Sequence, residues 1–157
     1  MSITIYHEPQ DIAKHISKCR RLNKGAYALK SQGVYFTDRS YMGYNNQTHL
    51  DGHQVHNPFM DYPAPNDIEL ALPLYQVYIR YQINQAKEGS ARQCVKRMMN
   101  DLTQKEIPLV FLCPCQYDCR AKVARCHSQI LKKALLEWYQ SYLKQQEIDE
   151  EARDLLN

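Results

Sequence analysis

Pro108 is followed by Leu-Val-Phe-Leu-Cys, an unbroken apolar run from Leu109 to Cys113. A strand that is apolar at every position is the signature of one covered on both faces, as in the middle of a parallel sheet. The chain around it supplies elements that could do the covering. Ser2 to His7 alternates Ile3 and Ile5 with polar neighbours, a short first strand. Pro9 opens a helical pattern of Ile12, Ile16, Cys19 and Leu22, which Asn23-Lys24-Gly25 ends. Gly33 to Thr37 is β-branched and aromatic, a second strand.

Further helices follow. Asn66 with Glu69 has capping-box spacing, and Leu70, Leu74, Val77, Tyr78 and Tyr81 continue one face, with Pro73 as a point of kinking. Ser90 with Gln93 repeats the signal ahead of an apolar stripe of Cys94, Val95, Met98, Met99 and Leu102. A last helix begins near His127 or Ser128, with Leu131, Ala134, Leu135, Trp138 and Tyr142 on one side and an acidic end expected to fray. The order β-α-β-loop-α-α-β-α predicts one α/β domain over residues 1–146, with helices on a mainly parallel sheet, a long C-terminal helix, and an acidic tail at 147–157.

A chain of 157 residues buries roughly 70% of the surface it exposes when unfolded, so it needs no disulfides to fold. No apolar run approaches the ~20 residues of a membrane helix. The amino terminus has no basic segment leading into an apolar one, which predicts no secretory signal and a reducing cytoplasm. Charge is uneven: residues 1–144 hold 19 Lys and Arg against 12 Asp and Glu, and the last 13 residues hold 1 against 5. The basic body suits an anionic partner, whether a nucleotide, nucleic acid or acidic protein, or is simply a solvated surface.

In a reducing compartment six cysteines read as buried small hydrophobes, metal ligands or reactive thiols. Cys19 and Cys94 stand apart, and Cys94 falls on an apolar stripe. Cys113, Cys115, Cys119 and Cys126 lie within 14 residues, between the buried strand and the helix that starts at Cys126-His127. Ligands of open α/β sheets bind at the carboxyl ends of strands. A helix amino terminus there favours anions and lowers a thiol pKa. Arg120, Lys122 and Arg125 add positive charge. Three readings stand open. Zinc could draw four ligands from Cys113, Cys115, Cys119, Cys126 and His127, with the four cysteines the first choice, although C-x-C-x3-C-x6-C-H is not a usual knuckle spacing. A thiol could be reactive or touch a ligand. Or the cysteines are compact apolar residues and His127 a helix cap.

Gly33-Val34-Tyr35-Phe36, Asn57-Pro58-Phe59, Leu112-Cys113-Pro114-Cys115 and Cys126-His127 together resemble the bacterial and phage family called domain of unknown function 4326. Its members pair an early V-Y-[IV]-G-R strand and N-P-[FY] with a late L-x-C-x-C and C-H before a helix. The family's Gly-Arg is Thr37-Asp38 here, with Arg39 one place later. Domain of unknown function 488 is similar in layout. The resemblance implies a Rossmann-like three-layer domain and a ligand site gathered from three chain segments.

Asp38 to Pro65 has no periodicity and carries Arg39, His49, His53 and His56, a composition that suits a lid or pocket wall. Asn57 is held extended by Pro58, which presents its amide rigidly. The usual phosphate-loop, dinucleotide and serine-hydrolase signatures are absent. The expected function is binding of a nucleotide or nucleotide-like anion by Tyr35, Arg39, His56, Asn57, Cys115, Arg120 and Arg125. Catalysis, as a hydrolase or transferase, would use Cys113, Cys126 and His127. The alternative is a zinc-stapled module that binds nucleic acid or protein.

Overall fold

The computed structural model of the chain describes residues 2–22, 33–36, 68–105, 107–112 and 127–157. Among them, three strands form one parallel sheet: β1 (Ile3–Tyr6), β2 (Val34–Phe36) and β3 (Leu109–Leu112). The order is β1-β3-β2, so the fully apolar strand is the central one. Ile3 lies opposite Leu109 and Tyr6 opposite Leu112, while Val34 pairs with Val110 and Phe36 with Leu112. The carboxyl ends of all three strands are therefore level along one edge of the sheet.

β2 begins one residue later than its composition suggests. Gly33 is a turn residue with φ +74°, and its carbonyl accepts the Val110 N–H at 2.8 Å. A Cβ there would sit 2.7 Å from the Pro108 carbonyl oxygen and 2.8 Å from Ile107 Cγ2. Both the left-handed conformation and the close approach demand glycine.

Side chains of β3 alternate between two apolar clusters, as the pleat requires. Leu109 and Phe111 join the larger one, which contains Ile3, Tyr35 and residues from three helices: α2 (Ile68–Gln85), α3 (Gln93–Asn100) and α4 (His127–Leu156). Leu112 and Val110 join the smaller one with Val34 of β2 and Ile12 of α1 (Pro9–Leu22). The chain is thus a mixed α/β fold with a small parallel sheet and a long C-terminal helix.

α2 is an apolar helix on more than one side, and the core takes a different face from the expected one. Leu72, Tyr75, Ile79 and Ile83 are buried, whereas Leu74, Val77 and Tyr81 are 43%, 69% and 58% exposed. The two sets interleave at helical spacing, and tertiary packing against α4 decides between them. Pro73 lies on the exposed side, within the helix.

α3 buries Cys94, Val95, Met98 and Met99 as its stripe predicts, but its start is not a capping box. Ser90 Oγ donates backwards to Gln85 Oε1 at 2.7 Å, and the residue capping the helix is Arg92, whose N–H donates to Gln82 Oε1 at 2.7 Å. The end of α2 thus satisfies groups that a Ser–Gln box would otherwise take. After α3 the chain widens into a π turn, Asp101–Lys105, closed by the Ile107 N–H on the Asp101 carbonyl at 3.0 Å. α4 does not stop where its acidic end begins. It runs without a break to Leu156, a length of about 45 Å for its 30 residues. Among the described residues no helix is long and apolar enough to cross a membrane.

Candidate functional site

Two places in the described structure could serve function. The first is the carboxyl edge of the sheet. β1 ends at Tyr6, two residues precede α1, and Pro9 occupies the first helical position, where a missing N–H is harmless. The Tyr6 ring lies 5.4 Å from that of His15, one and a half turns into α1. β3 ends beside it at Leu112, and Cys113 is the next residue in the chain. α4 starts at His127, immediately after Cys126, and Ser128 in its first turn is fully buried. The start of α1 is thus brought next to the end of β1, where backbone N–H groups favour an anion.

The second place is a groove of about 770 Å³ between α3 with its π turn and the middle of α4. Met99, Trp138 and Tyr142 supply its apolar lining, and Lys87, Lys96 and Thr103 are among its polar residues. The Trp138 and Tyr142 rings are tilted with centroids 5.6 Å apart. Lys96 Nζ donates to the Gly89 carbonyl, and Thr103 Oγ1 donates to the Met99 carbonyl at 2.9 Å. These bonds fix the positions of two groups at the groove.

Of the residues expected to bind ligand, hold metal or catalyse, Tyr35 and His127 fall within the described structure. Tyr35 is 2% exposed and points into the larger cluster, where its hydroxyl donates to Asp101 Oδ2 at 2.9 Å. Burial, followed by the Asp101 charge and hydrogen bond, pushes its phenol far above the ordinary value, with Arg97 opposing. His127 is the first residue of α4. Arg39, His56, Asn57, Cys113, Cys115, Cys119, Arg120, Arg125 and Cys126 lie outside the described residues, as do His49 and His53.

Cys94 is 1% exposed, and burial first of all raises its thiol pKa, with Arg92 acting the other way. A protonated thiol packed among Val95, Met98 and Ile79 is a small hydrophobe, not a nucleophile. Among the described residues no group of three or more His, Cys, Asp or Glu side chains could hold a metal ion.

Sequence reasoning missed Asp101, the buried acceptor of Tyr35. A signal existed, because Asp101 sits between Met98 and Leu102 on the buried arc of α3 and its continuation, a position where an unpartnered carboxylate is costly. It also missed the groove, since Lys87, Lys96, Trp138 and Tyr142 lie far apart in sequence and line one groove only in the folded chain. Comparison with family models, curated proteins and solved structures returned no match for the chain.

Proposed function

We propose that the chain binds a nucleotide or nucleotide-like anion at the carboxyl edge of the sheet, between the ends of β1 and β3. One observation carries this reading. β1 and β3 are neighbours, yet the helix after β1 packs into the smaller cluster through Ile12, and the helix after β3 into the larger through Leu131 and Leu135. Adjacent strands whose connections depart to opposite sides leave a crevice at their ends, the usual ligand position in open α/β sheets. On this reading the domain is a small Rossmann-like three-layer unit and a divergent relative of the domain of unknown function 4326.

The residues assigned to the crevice are those adjoining it in sequence: Cys113 and Cys115 after β3, and Arg120, Arg125, Cys126 and His127 before and at the start of α4. Arg39, His56 and Asn57 would complete it. The arginines supply charge for an anion, and chemistry at the site would run through a Cys113 or Cys126 thiol with His127 as acid or base. Tyr35 enters as a support, since its hydroxyl already serves Asp101.

Thermal unfolding in a panel of nucleoside mono-, di- and triphosphates and nucleotide sugars tests the reading. At 100 times its dissociation constant a ligand stabilises by about 2.7 kcal/mol, a readable rise in midpoint. The rise should disappear in Arg120→Ala/Arg125→Ala and survive in Lys87→Ala/Lys96→Ala. No rise with any member, or a rise that depends on the groove lysines, rejects the crevice. Zinc analysis of the same preparation separates this reading from a zinc-stapled module, which would carry one metal per chain and unfold on chelation.

A further inference from the structure

Leu131, Ala134 and Trp138 succeed one another along α4 at intervals of three and four residues, and they pack into the larger cluster. The same alternation continues through Ser141 and Gln145 to Ile148, Ala152 and Leu155. Apolar and small residues at three-four spacing make the seam of a coiled coil, and here Ser141 and Gln145 are its polar positions. Its first half is covered by the chain's own fold. Its second half is not: every residue from Leu143 to Asn157 is exposed, with Ile148 at 51% and Leu155 at 88%.

We infer that the distal half of α4 is covered by a second copy of the chain, the two α4 helices pairing antiparallel about a two-fold axis between Gln146 and Glu147. That register sets Trp138 against the partner's Leu155, Ser141 against the partner's Ala152, and Gln145 against the partner's Ile148. Each large ring thereby meets a leucine, and each small residue meets a small one. The distal helix of each copy enters the groove of the other beside Met99, Trp138 and Tyr142.

Charge selects this occupant over an unrelated helix. Residues 147–157 carry Glu147, Asp149, Glu150, Glu151 and Asp154 against Arg153 alone. The receiving groove carries Lys87 and Lys96, and the register brings Lys144 opposite the partner's Asp149. The arrangement is isologous and closes on itself, so it yields a dimer and not a fibre. It also accounts for an acidic helix that extends beyond its own core, where an isolated stretch of this length would be marginal in water.

Light scattering on the eluting full-length chain, diluted through the micromolar range, reads the outcome. The expected mass is twice the chain's 18.5 kDa, falling towards that of the monomer on dilution and in high salt. Ile148→Asp/Leu155→Asp alters exposed positions only, so it should leave the circular dichroism of the core in place while halving the mass. Lys87→Glu/Lys96→Glu should weaken the dimer at least tenfold, and adding Glu151→Lys/Asp154→Lys to the same chain should restore it. A wild-type chain that stays monomeric throughout, or a dimer indifferent to Ile148→Asp/Leu155→Asp, overturns the inference, as does a charge swap without rescue.

Discussion

Tyr35 of β2 donates its hydroxyl to Asp101 at the end of α3, 2.9 Å apart and 66 residues distant in sequence, with both residues 2% exposed. The bond ties an edge strand to the helical layer through two groups that would be costly to bury alone. Tyr35→Phe keeps the ring and removes the donor, leaving Asp101 Oδ2 without this partner. The expected loss is about 1–3 kcal/mol of stability, read as a lower urea midpoint with unchanged m-value. An unchanged midpoint would show that the hydroxyl contributes nothing to the fold.

Alkaline pH should destabilise the chain in two stages. Cys94 and Tyr35 both have raised pKa values in the folded state, chiefly through burial. Above about pH 8.5 for the thiol and about 10 for the phenol, the unfolded chain loses protons that the folded chain keeps. Stability from each is therefore fully present below its unfolded value and is lost as pH rises. Urea midpoints should fall from about pH 8.5 upward, with the first stage absent in Cys94→Ala and the second shallower in Tyr35→Phe. Midpoints that stay level to about pH 11 would contradict the burial of both groups.

Gly33 and Gly89 offer a matched pair. Both have positive φ, +74° and +79°, but a Cβ at Gly33 meets Pro108 and Ile107, whereas nothing lies within 4 Å of one at Gly89. Gly89→Ala should cost the backbone strain alone, about 1–2 kcal/mol. Gly33→Ala should exceed it by a further 1–3 kcal/mol or so from overpacking at the start of β2. Equal losses would mean that the strand entry yields at no cost.

The two faces of α2 can be distinguished by truncation. Ile79 is fully buried and Val77 is 69% exposed. Ile79→Ala should cost about 2–5 kcal/mol, and Val77→Ala should stay within about 0.5 kcal/mol of the parent. The reverse ranking would restore the face that the Leu74, Val77 and Tyr81 spacing suggests.

Where one pattern dominated a segment, the sequence was a good guide. The unbroken run at Leu109 has one solution, the central parallel strand, and the α3 stripe of Cys94, Val95, Met98 and Met99 faces the core. Where two patterns overlapped, it was not. α2 carries two interleaved apolar sets, so spacing alone could not choose, and contact with α4 did. Ser90 satisfied the capping-box spacing, yet Gln85 and Gln82 lay close enough to take over its work and that of the helix start. The acidic composition after Lys144 suggests fraying, whereas the helix continues to Leu156. At the candidate crevice, the start of α1 was legible from Pro9, and the start of α4 from the pattern that begins near His127. The Tyr35–Asp101 bond was not, because a pair so far apart along the chain leaves no local mark.

The position of β3 has a consequence for the order of events during synthesis. Among the described strands, the two that flank β3 are made first, and they pair with β3 and not with each other. Ile3 must wait for Leu109 and Val34 for Val110. Closing these contacts across long stretches of chain is entropically slow. A nascent chain on the ribosome therefore carries β1 and β2 without the strand that joins them until β3 emerges, and a chain halted before Leu109 lacks that link.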